Sequence, residues 1–172
     1  MLTSNTTPRS RTRRAWWLLC LLLASSTAFA MSPQHEACIR TAATTYYQPS
    51  DPVSYAGLLD LIHALMGVEG GCGRQHINTN GSIDYGCMQI NSSTLRRLAR
   101  AGYHFDLATV QYDDCQNIML GTWVLAGELK SGRDLWTSIG NYNSRTPKYN
   151  RDYQGKVWRK LQRIWADRLA QR

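Results

Sequence analysis

A chain of 172 residues, 43% of them apolar and carrying a formal charge of +8, holds material for one hydrophobic core but not for two, and no internal repeat or low-complexity tract interrupts it. The positive charge is unevenly placed. Arg9, Arg11, Arg13 and Arg14 precede an apolar run from Ala15 to Ala24, and Ala28-Phe29-Ala30 has the small-x-small form of a cleavage site.

Residues 1–30 therefore read as a secretory signal peptide of the ordinary kind, leaving 31–172 as a single domain with no stable membrane span after cleavage. The signal arginines account for half the net charge, so the mature chain carries +4. From Arg145 to Arg172, nine Lys and Arg face only Asp152 and Asp167, which makes the end of the chain strongly basic and the remainder slightly acidic. In an exported protein such an end suits an anionic cell envelope, and nucleic acid is not expected as a partner. The expected location is periplasmic or secreted. Cys20 leaves with the signal, and Cys38, Cys72, Cys87 and Cys115 form an even set without a CxxC pair, which favours two disulfides. Three pairings are open.

Along the mature chain, Ser32-Pro33 starts a helix with a cap and a first-turn proline, with Cys38, Ala42 and Thr45 or Tyr46 spaced for one buried side, and Pro49 and Pro52 end it. Ser54 caps a second helix from Tyr55 to about Glu69, in which Leu58, Leu61, Ile62, Leu65 and Met66 recur at helical spacing and Gly70-Gly71 supplies the stop. Asn80-Gly81 between two short alternating runs, Ile77 to Tyr85, predicts a tight hairpin. Asn91 or Ser92 caps a helix that stops at Gly102, and Asp113-Asp114 opens another that ends near Gly132. Asp134 caps a short helix carrying Trp136, Ile139 and Tyr142. A last helix, about Tyr149 to Leu169, has Tyr153, Val157, Leu161, Ile164, Trp165 and Leu169 inward and its Lys and Arg outward. The fold class is mainly α with one small β-hairpin.

His35, His63, His76 and His104 are scattered, no HExxH is present and the cysteines lack zinc-finger spacing, so neither a metal nor another cofactor is expected. GxSxG and phosphate-loop motifs are also absent. What remains is Glu69, with the polar residues Gln89, Asn117, Tyr142 and Asn143. In the last turn of an apolar helix, both burial and the unfavourable end of the helix dipole push a carboxyl pKa upward, which suits a group that must deliver a proton. Each of these residues, taken singly, has a plain structural alternative: a solvated helix end, a loop hydrogen bond, a first-turn cap, a core phenol.

Together they form ordered motifs: Val68-Glu69-Gly70-Gly71, Gly86-Cys87-Met88-Gln89-Ile90, Asn117-Ile118-Met119-Leu120-Gly121, Tyr142-Asn143, and Tyr153 with Lys156-Val157. From Cys38 to Val157 the chain resembles the lytic transglycosylases of the soluble-lytic-transglycosylase catalytic-domain family, relatives of goose-type lysozyme. It is most similar to the small exported members that accompany secretion, conjugation and pilus systems, in which Asp114-Cys115 before Asn117-Ile118 is typical. The resemblance implies an α+β lysozyme-like fold. It also implies peptidoglycan glycan strands as substrate, Glu69 as general acid and then base, and a 1,6-anhydro product. Tyr142 would orient Glu69 through its hydroxyl, and Gln89, Met88, Asn117, Asn143 and Tyr153 would line the substrate side. The chain departs from the family pattern at Gly70, where Ser is usual, at Cys87, where Leu is usual, and at Ser144-Arg145, where Ala-Gly is usual.

Asp84 is the one nearby candidate for a second carboxylate, and its turn preferences favour a hairpin role. Among the pairings of cysteines, Cys38 with Cys115 suits a long-range staple, leaving Cys72 with Cys87 to clamp the Glu69 helix to the Gln89 loop. A water-using muramidase, a non-catalytic glycan-binding assembly protein and a basic envelope-binding protein acting through residues 145–172 are the competing readings.

Overall fold

The computed structural model describes residues 31–73, 75–131 and 133–172. The expected signal peptide, and Gly132 as a helix stop, lie outside the described residues. Within them the order is α1 (Pro33–Tyr46), α2 (Tyr55–Glu69), β1 (Gln75–Ile77), β2 (Ile83–Tyr85), β3 (Ile90–Asn91), α3 (Ser92–Arg100), α4 (Leu107–Tyr112), α5 (Asp114–Leu129), α6 (Leu135–Asn143) and α7 (Pro147–Ala170). This is the mainly α, lysozyme-like architecture expected.

Most helix starts are set by the side chains that the sequence advertised. Ser32, Ser54, Asn91, Asp113 and Asp134 each accept a hydrogen bond from a first-turn amide, satisfying donors that have no intrahelical partner. Helix α2 is the centre of the core. Its Leu58, Leu61, Ile62, Ala64, Leu65 and Met66 are almost wholly buried, α7 packs along it, α6 packs on α7, and α1 packs on α5. Two disulfides reinforce this arrangement, Cys38–Cys115 between α1 and the start of α5 and Cys72–Cys87 between the segment after α2 and the loop after β2.

Four local expectations are corrected. The hairpin is not closed by a two-residue Asn-Gly turn: Ile77 pairs with Ile83, and the turn runs from Asn78 to Gly81, whose amide donates to the Asn78 carbonyl at 2.9 Å. Gly81 takes φ 77°, at the fourth position of the turn, where glycine is favoured. A third short strand, β3, pairs antiparallel with β2, and a six-residue helix, α4, occupies a stretch too short to display a helical period. On α1 the buried partners of Cys38 and Ala42 are Ile39 and Ala43, while of Thr45 and Tyr46 the first is exposed and the second half-buried. The last inward positions of α7 are not covered: Trp165 is 39% and Leu169 is 70% exposed. The α7 residue bonded to Glu69 is Tyr153, whereas those bonded to Asp60 are Trp165 and Arg168, so the two helices run antiparallel. No helix among the described residues is long and apolar enough to cross a membrane.

Candidate active site

Glu69 is the final residue of α2. Gly70 ends the helix at φ 90°, and since a side chain there would meet open space, it is the left-handed backbone rather than crowding that favours glycine. The antiparallel α7 brings Tyr153, itself buried, against the carboxyl, and its hydroxyl donates to Glu69 Oε1 at 2.5 Å. Burial is the dominant influence on Glu69 and raises its pKa from 4.5 to about 7; the nearby Asp84 charge adds to the rise, while the Tyr153 hydrogen bond and Lys156 oppose it. Burial, with the Glu69 charge behind it, also holds the Tyr153 phenol well above its ordinary pKa, so the bond is one between a neutral donor and a carboxyl.

The phenol bonded to Glu69 is therefore Tyr153, not Tyr142. Tyr142 donates instead to the Met88 carbonyl at 2.8 Å, and its ring stacks on Tyr153 with centroids 6.4 Å apart. The reason lies in helix geometry: α6 presents Tyr142 to the Gln89 loop, whereas α7 runs directly along α2. Tyr142 thus fixes the loop and backs the Tyr153 ring.

That loop, from Gly86 to Gln89, is built by interlock with α5. Asn117 is wholly buried; its Oδ1 accepts from the Met88 amide at 2.7 Å and its Nδ2 donates to the carbonyls of Tyr85 and Val110, both at 2.8 Å. A side chain at Gly86 would overlap the Asn117 amide, and Gly86 also takes φ 68°. A side chain at Gly121 would likewise overlap Met88, which is completely buried. Asn117 and Met88 accordingly build the loop: every polar group of the Asn117 side chain is engaged with backbone and Met88 has no exposed surface. Gln89 stands at φ 45°, the one non-glycine at positive φ among the described residues, and its Nε2 donates to the Gly86 carbonyl at 2.8 Å. A non-glycine in the left-handed region costs of the order of 1–3 kcal/mol and is held there by its surroundings. Asn143 lies exposed on the last turn of α6.

With this geometry, a comparison with known families is decisive: the model of the Transglycosylase SLT domain matches residues 52–163. The chain belongs to that family. Among its relatives, the invasion protein IagB of Salmonella typhi is 31% identical over 102 residues, covering 55% of this chain and 62% of that protein. The protein IpgF of Shigella flexneri is 30% identical over 96 residues, covering 54% and 62%. The chain thus spans about three-fifths of the length of these relatives.

In this SLT domain the matched stretch contains Glu69, the Gln89 loop, Asn117, Tyr142 and Tyr153, but also residues that sequence reading passed over. Asn150, buried in α7, donates through Nδ2 to the carbonyls of Thr137 and Ser144 and to Asn141 Oδ1, and a side chain at Gly140 would overlap it. It ties α6 to α7 as Asn117 ties α5 to the loop. A glycine in mid-helix was the one available signal. Asp84 accepts from Asn91 Nδ2 at 2.6 Å through Oδ1 and from Asn78 Nδ2 at 2.8 Å through Oδ2, which fastens the three short strands together. The fold does gather potential ligand atoms of His35, Asp114, Cys72 and Cys87 within 4.8 Å of one another. The two cysteines are bonded to each other, so the thiolates that a zinc ion would need are not offered.

Proposed function

We propose that the protein is an exported peptidoglycan lytic transglycosylase, a single domain of residues 31–172 freed from a signal peptide at 1–30. It cleaves the β-1,4 bond between MurNAc and GlcNAc. The observation that carries this reading is one buried carboxyl, Glu69, raised to about 7 and hydrogen-bonded to a neutral phenol. A group titrating there is protonated often enough to give its proton to the leaving glycosidic oxygen and is then basic enough to take one back. In the first step the glycosidic C–O bond breaks as Glu69 protonates its oxygen. In the second, Glu69 removes the proton of the muramic acid 6-hydroxyl, whose oxygen bonds to the anomeric carbon and closes the 1,6-anhydro ring. Water is not consumed. Tyr153 positions Glu69, and Gln89 and Asn143 contact the sugar.

A hydrolase of the two-carboxylate kind needs a second Asp or Glu to activate water or bond to the sugar. Both oxygens of Asp84 are occupied by asparagine amides, which speaks for a structural part instead. The name invasion protein borne by IagB supports a finer reading: local opening of the wall for a secretion, conjugation or pilus machine.

Mass spectrometry of the soluble products from purified sacculi, for the mature protein and for Glu69→Gln, tests this. Anhydromuramic ends released by the wild type, with a loss of roughly a thousandfold in the variant, are expected. Reducing muramic ends would make the protein a hydrolase. Binding of sacculi without any release would make it a glycan-binding assembly protein.

A further inference from the structure

Beside the site runs a groove of about 200 Å³, floored by Gly67 and Val68 of α2 and walled by Lys156, Arg159, Lys160 and Arg163 of α7. Val68 of its floor precedes Glu69 in α2, and Lys156 of its wall acts on the Glu69 charge. The ion pairs among the described residues use other groups, so none of these four cations is paired directly with a carboxylate, although Lys156 acts on the Glu69 charge at longer range. Position 67 is fitted to the groove: a side chain there would overlap the aliphatic stem of Lys160, which crosses α2 at that point. At 1.5 Å rise per residue, the row from Lys156 to Arg163 is about 10 Å long, the span of roughly three residues of extended peptide.

We infer that this groove binds the free carboxylates of the stem peptide attached to the muramic acid whose bond Glu69 attacks. The inference rests on the proposed cleavage of peptidoglycan and goes beyond it by naming a substrate feature. The peptide leaves the glycan from the sugar bound next to Glu69, and the first cation, Lys156, is the one close enough to act on the Glu69 charge. A poly-anion attracted by diffuse charge would meet the whole basic face of α7. An extended acidic peptide instead follows the groove, one carboxylate per turn or so.

Binding is measured on Glu69→Gln, so that cleavage plays no part, with three soluble glycan fragments: bearing stem peptides, stripped of them by an amidase, and bearing peptides whose carboxylates are amidated. The peptide-bearing fragment is expected to bind about tenfold more tightly than the other two, as two or three partly exposed ion pairs would give. Adding Arg159→Gln, Lys160→Gln and Arg163→Gln removes that advantage and leaves affinity for the stripped fragment unchanged. Adding Lys148→Gln, Arg151→Gln and Arg172→Gln, which removes the same charge elsewhere on α7 and just beyond its end, preserves it. Equal affinity for all three fragments, or equal loss in the two triple variants, overturns the groove; the second result would assign the basic helix to diffuse attraction by an anionic lipid or polymer. Failure of cleavage itself appears in the sacculus products and is read separately.

Discussion

Two carboxylates on α2 face the same partner helix and end in opposite states. Glu69 meets Tyr153 and is raised to about 7; Asp60, only 8% exposed, meets Arg168 and Trp165 and is lowered. Burial alone would raise both. At Asp60 it is outweighed by Arg168, whose Nη2 and Nη1 donate at 2.6 and 3.3 Å, and by Trp165 Nε1 at 2.8 Å. At Glu69 the phenol gives one bond and no charge, so burial wins. One seam between two helices thus holds a carboxylate lowered at one end and a carboxyl raised to about 7 at the other, and the guanidinium at Asp60 makes the main difference.

The largest effect that sharpens this contrast is on stability. Glu69 holds its proton more tightly in the folded chain than at its ordinary 4.5, so between 4.5 and about 7 the folded state binds more protons and stability falls as pH rises. Glu69→Gln removes that cost. The variant should be more stable than wild type by about 2–3 kcal/mol at pH 8, with the difference vanishing below pH 4.5, in denaturant titrations. A difference independent of pH would mean that the carboxyl is well solvated.

Tyr153→Phe acts next. Losing a bond that favours the ionised form raises the Glu69 pKa further, so the alkaline limb of the pH–rate profile should move up while the maximal rate falls roughly 10- to 100-fold. A slower enzyme with an unmoved limb would assign Tyr153 to packing alone. Tyr142→Phe, by contrast, should leave the limb in place.

The smallest effect lies at the other end of the seam. Because the Arg168 side chain is half exposed, Arg168→Gln is expected to cost about 1 kcal/mol at neutral pH. Asp60 is depressed, so its contribution is present above the ordinary carboxylate value and is lost as pH falls through the lowered one; the cost should fade in strong acid. Glycan cleavage should be unaffected.

Much of this was legible in order along the chain. Caps at Ser32, Ser54, Asn91, Asp113 and Asp134, and the apolar stripe of α2 ending at Gly70, are local signals, and local hydrogen bonds answered them. Asp60 was invisible because its partners are more than 100 residues away. The resemblance put Tyr142 rather than Tyr153 beside Glu69, and nothing local could correct it, since each is a phenol on a helix and only the crossing of helices decides which reaches Glu69. Asn117 had an equally good reading as a helix cap, and its bonds to the distant Met88 amide and Tyr85 carbonyl appear only when the Gln89 loop is folded against α5.

The sequence by itself determined where most of the helices begin, that Glu69 closes the central one, and which family the motifs resemble, because capping, periodicity and motif order are properties of neighbours along the chain. Tertiary structure alone decided which phenol touches Glu69, which segments the buried asparagines tie together, and why Asp60 and Glu69 differ. Those outcomes depend on which groups from distant segments share a low-dielectric space, where one charge more or less reverses the protonation of a carboxyl.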